Sequence, residues 1–87
     1  MGLDAIEFLM HAEKEFDINI TDAEAGEIYT VGQFSRLCHA KLQLKPNNTI
    51  DEEQVFTGLK QILRKHFLNA DAKITRDDLI VKDLRLD

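Results

Sequence analysis

Leu3-Asp4-Ala5-Ile6-Glu7-Phe8-Leu9-Met10-His11-Ala12-Glu13-Lys14-Glu15-Phe16 sets the pattern from which the rest of the chain is read. Ala5, Phe8, Leu9, Ala12 and Phe16 recur at helical spacing. That puts them on one face of a helix over Leu3 to Phe16 and predicts that this face is core. At roughly 100° per residue, Leu3, Ile6 and Met10 fall on an arc centred roughly 140° away, so the three cannot all enter the same core. Glu7, Glu13 and Asp17 surround them, and the helix is expected to present an apolar strip framed by negative charge. Such a strip reads as a docking surface, where apolar contact supplies area and the acids steer basic partners. The alternative is that a small bundle buries part of the strip, Ile6 first.

Outward from this helix the periodicity stays helical. Thr21-Asp22-Ala23-Glu24 matches a capping box, and Gly26 follows so soon that the helix it opens must be short. A further helix is predicted from Thr30, its N-cap, to about Leu42, with Val31, Phe34, Leu37, Cys38 and Leu42 in register. Gln43 to Asn48 reads as a linker around Pro46, the only proline. Thr49-Ile50-Asp51-Glu52 reads as a second capping box, opening a helix that ends near Phe67 with Val55, Leu59, Ile62, Leu63 and His66 on its stripe. Beyond Asn69 the pattern dissolves. Thr75-Arg76-Asp77-Asp78 is expected to cap one further turn, and Ile80-Val81 is too short to make a sheet. The predicted class is all-α, a bundle of three main helices plus one or two short ones.

With 87 residues and 10.0 kDa the chain has room for one core, and 44% apolar and 31% charged residues fit a folded domain. A lone Cys excludes an internal disulfide framework, and no apolar run approaches a membrane span, so the expected location is cytoplasmic with no membrane partner. The net charge of −5 is unevenly placed: residues 1 to 30 hold eight acids and one base, whereas residues 31 to 48 hold three bases and no acid. Such an acidic segment repels phosphate backbones, so nucleic acid is excluded as an expected partner and basic protein surfaces are favoured.

Constellations for catalysis are scarce, and the chain is expected not to be an enzyme. Ser35 has His39 four residues on, but no glycine-rich elbow or orienting third group accompanies them, and the pair reads as a solvated helix face. Cys38 reads as a small core residue, His11 and His66 stand far apart in sequence, and no metal-ligand spacing is present.

These residues together resemble the acyl carrier protein family. Leu3 to Met10, Glu13 to Ile20, Thr21 to Ala25 and Ile28 to Val31 are similar, without a gap, to that family's second helix, third helix and entry to the fourth. In the family the second helix is preceded by a first helix and a loop ending in Asp-Leu-Gly-x-Asp-Ser-Leu, whose Ser carries 4′-phosphopantetheine. Here Thr49 to Leu68 resembles that first helix. Ala72 to Asp87, closing on Val81-Lys82-Asp83-Leu84-Arg85-Leu86-Asp87, resembles the loop up to the residue before the Ser, with Arg85 in place of the family's Gly. The resemblance covers nearly the whole chain in circularly permuted order: residues 1–42 correspond to the second to fourth helices, 43–48 to a linker, and 49–87 to the first helix and its loop.

The resemblance implies a single carrier domain of fatty-acid or polyketide-type biosynthesis. Leu3, Asp4, Glu7, Met10, Glu13 and Glu27 would dock basic surfaces of acyl-transfer or synthase enzymes, and the segment Ala72 to Leu84 would cover an acyl cavity between helices that is expected to be empty or collapsed in this chain. Lys14 departs from the family's usual acid. Met1-Gly2 stands where the Ser belongs, so the attachment position falls at the junction of Asp87 and Gly2, and this chain is expected to carry no phosphopantetheine. An engineered permutant is the expected history. A natural, non-covalent interaction module on the carrier fold is the alternative. A monomer is expected, with a swapped dimer through the Gln43 to Asn48 hinge as the other outcome.

Overall fold

Four helices follow one another in the computed structural model, which describes residues 3–86: α1 (Leu3–Phe16), α2 (Asp22–Ala25), α3 (Val31–Gln43) and α4 (Glu52–His66). Among the described residues there is no strand, and no helix is long and apolar enough to cross a membrane. The chain is all-α, with three main helices and one short one.

Local chemistry explains each boundary. Asp17 ends α1 in the left-handed region at φ 52, and the Ile18 N–H reaches back to the Glu13 carbonyl at 3.1 Å, the closing bond of a Schellman motif. Thr21 and Glu24 form the predicted capping box of α2. Thr30 caps α3 through Gln33, whose side-chain oxygen accepts the N–H groups of both Tyr29 and Thr30. The start of α4 corrects the sequence reading: the capping box runs from Asp51 to Gln54, two residues past Thr49. Asn48 turns on itself, its Oδ1 accepting the Ile50 N–H, so residues 48 to 50 stay outside the helix. Glu52, which the Thr49 box would have used, points elsewhere.

The core is built from one stripe of each main helix. Phe8 of α1 meets Phe34 of α3 edge to face at 5.1 Å, and Val55, Leu59 and Leu63 of α4 are buried in the same cluster. Truncating a ring in such a position costs about 3–5 kcal/mol. Cys38 is fully buried there, and burial pushes its thiol up to about 12.

After α4 no helix occurs among the described residues, yet the segment is firmly anchored. Ile74, Ile80, Leu84 and Leu86 are buried, and the segment lies across the entry to α3. The Val31 N–H donates to the Asp78 carbonyl at 3.1 Å and the Gly32 N–H to the Arg76 carbonyl at 2.8 Å. Two first-turn donors that a helix cannot satisfy internally are thereby paired by the tail. Thr75 and Asp78 close the predicted turn reciprocally, the Asp78 carboxylate accepting the Thr75 N–H at 2.8 Å and the Thr75 carbonyl accepting the Asp78 N–H. Ile80-Val81 forms no strand; a single antiparallel bridge, Thr30 to Leu79, is all that forms nearby.

Candidate docking surface

Helix α1 is two-faced. Ala5, Phe8, Leu9 and Ala12 are buried, while Leu3, Ile6 and Met10 are 68%, 44% and 59% exposed. The apolar strip therefore stays at the surface, Ile6 included. Asp4 and Glu7 are exposed beside it, and among the described residues neither is ion-paired.

Between α1 and α2 the strip opens into a groove of about 440 Å³, lined by Ile6, Leu9 and Met10 on one side and Ile20, Ala25 and Gly26 on the other, with Glu13 and Asp22. The position of α2 is fixed by polar bonds. The Glu13 carboxylate accepts the Ile20 N–H at 2.8 Å, and the Glu24 carboxylate pairs with Lys41 of α3 at 2.9 Å. The Thr21 N–H, with Lys41 adding to it, holds the Glu24 carboxyl below the usual carboxylate range. Ile20, Ala25 and Gly26 were missed by the sequence reading, because no periodicity links them to α1; only the capping box hinted that a short helix would fold back.

The structure thus gathers some predicted residues and separates others. Ile6, Met10 and Glu13 share the groove. Leu3, Asp4 and Glu7 continue the same helix outside it. Glu27 lies apart, lining a smaller recess with Glu24, Ile28, Gln33 and Leu37. The junction of Asp87 and Gly2 lies outside the described residues. Just before it, Leu86 is buried and Arg85 adopts a left-handed φ of 60.

No protein-family model matches this chain, and no solved structure matches it.

Ser35 is a correction. In place of the expected solvated face, Ser35 is fully buried and His39 half-buried, and the Ser35 hydroxyl donates to the Glu52 carboxylate. Glu52 also binds Arg76 at 2.8 Å, and the Arg76 guanidinium lies 4.1 Å from the centre of the Phe56 ring. Arg76 first, then Ser35, hold the Glu52 carboxyl below its usual range. The three residues tie α3, α4 and the tail together. Ser35 meets the first turn of α4 through Glu52, a tertiary contact that helical periodicity does not encode. His11 and His66, which sequence distance set apart, stack against each other. No group of three or more metal-ligating side chains occurs among the described residues.

Proposed function

We infer that this chain is an acyl-carrier-protein-like domain in circularly permuted order that docks basic surfaces of acyl-transfer or synthase enzymes through α1 and does not itself carry 4′-phosphopantetheine. The observation that carries the reading is the exposed apolar strip Leu3, Ile6 and Met10 on a helix whose Asp4 and Glu7 are free of ion pairs among the described residues. Apolar area of this kind on a small domain is a recognition feature once it is bordered by unneutralised charge. Exposed acids raise the encounter rate with basic surfaces, and the groove beside Ile6 and Met10 offers a seat for one apolar side chain.

Kinship with the carriers gains support from Arg85. The resemblance puts glycine there, and the backbone takes the left-handed conformation that glycine accepts without strain. The phosphopantetheine group does not fit the residues present. Ser35 is the only serine of the sequence, and it is buried with its hydroxyl on Glu52.

Two measurements test the reading. Incubation with a broad-specificity phosphopantetheinyl transferase and coenzyme A should leave the intact mass unchanged; a gain of one phosphopantetheine would refute the loss of attachment. A rearranged chain, opened within Gln43 to Asn48 and closed by a Ser between Asp87 and Leu3, should then be loaded by the same enzyme. If it folds to the same helix content and is not loaded, the carrier kinship fails.

A further inference from the structure

Helices α1 and α4 meet at a pair of stacked imidazoles. The rings of His11 and His66 lie 4.0 Å apart with an interplanar angle of 16°, and Phe67 sets its edge against His11 at 5.9 Å while packing on Phe8 at 6.2 Å. The pair sits at the surface end of a contact that runs directly into the core. Among the described residues, neither imidazole is ion-paired to a carboxylate.

We propose that the His11–His66 stack is a proton-sensitive clasp, holding α1 to the end of α4 while both rings are neutral and releasing α1 when they are protonated. Two neutral imidazoles at stacking distance attract through dispersion and exclude water from the facing sides. Two imidazolium rings in the same place put like charges face to face, with no acid between them.

The surrounding charges do not reverse this. On α1, Glu7 and Glu15 lie four residues to either side of His11, with Lys14 three residues on; on α4, Lys65 adjoins His66 and adds to the repulsion. Carboxylates four residues away on an exposed helix return only a weak attraction, which Lys14 and Lys65 oppose. Cover by the neighbouring ring, followed by repulsion from His11 and Lys65, lowers the pKa of His66 from its ordinary 6.5. A histidine so shifted gives stability that is fully present above its unfolded pKa. That stability is lost as pH falls through the folded one. The release window therefore opens below the ordinary histidine value of 6.5. The clasp is independent of what docks on α1, since it follows from packing between two helices of the same chain.

The test is thermal unfolding of the intact chain between about pH 7.5 and about pH 5.5. Wild type should lose about 5 °C in Tm across this interval, and His66→Gln and His11→Phe should each lose less than half as much. Equal losses in wild type and both variants would overturn the proposal. Should the variants fold poorly, the wild-type protein decides alone: the two imidazole proton resonances are followed by NMR against pH. A His66 resonance titrating below the ordinary histidine value, in step with amide shifts in α1 and the end of α4, is the expected result. Titration at or above that value, or without those amide shifts, removes the clasp.

Discussion

Carboxylates in the first helix and carboxylates in the second half of the chain are put to opposite uses. From residue 51 onward four of the seven acids among the described residues are turned to internal work, Glu53, Asp71 and Asp77 excepted: Asp51 caps α4, Glu52 binds Ser35 and Arg76, Asp78 accepts the Thr75 N–H, and Asp83 accepts the Leu79 N–H at 2.8 Å. On α1, Asp4, Glu7 and Glu15 have no such partner among the described residues, and Glu13 alone is engaged, with Ile20. Residues of one type thus build the fold in one region and remain available in another. Charge left unpaired beside exposed apolar side chains marks where the molecule meets something else.

The contrast can be broken hardest at Gly32. A Cβ there would come within 2.9 Å of the Arg76 carbonyl oxygen and 3.0 Å of the Arg76 Cβ. Backbone must move, and the Gly32 N–H bond to Arg76 is strained with it. Gly32→Ala should destabilise by about 2 kcal/mol in urea unfolding, after the helix-propensity gain of alanine is subtracted. Glu52→Gln comes next, at about 1 kcal/mol near neutral pH, since its pair with Arg76 is partly solvated. Its pH dependence is the sharper result. Because the folded pKa of Glu52 is depressed, its contribution is full above the ordinary 4.5 and disappears as pH falls through the folded value. Wild type and Glu52→Gln should therefore converge in acid and separate above it; a constant difference would show that the carboxylate charge is not what binds the tail.

A third substitution should move the other way. Arg85→Gly removes left-handed strain worth about 1–2 kcal/mol and gives back part of it as chain entropy, leaving a net gain of about 0.5 kcal/mol, read as a rise in the urea midpoint. Smallest of all, Met10→Ser on the α1 strip should change stability by less than about 0.5 kcal/mol, because Met10 is 59% exposed. A large loss there would place the strip in the core and end its role as a docking face.

Sequence carried the helices well, because apolar spacing reports directly on which face is buried: α1 ends at the residue its stripe predicts, and Thr21 and Thr30 cap as expected. It failed where two local solutions compete. Thr49 and Asp51 both offer a capping box, and the choice is made by Asn48 bonding to Ile50 and by Glu52 turning toward Ser35 and Arg76. The exposed strip was legible from helix geometry alone. The groove beside it was not, since its far wall comes from residues placed by a fold-back. Contacts between distant segments, such as Ser35 with Glu52 and His11 with His66, depend on how helices are arranged in space, and no short-range pattern reports that.

Cys38 has a practical consequence. Its thiol, raised to about 12 and sealed in the core, is almost wholly protonated near neutral pH and out of reach of alkylating reagents. Reagent must wait for the helices to part, so the labelling rate counts opening events rather than surface chemistry. As the only cysteine of the sequence it gives a single signal without background. The molecule carries its own gauge of how often it breathes.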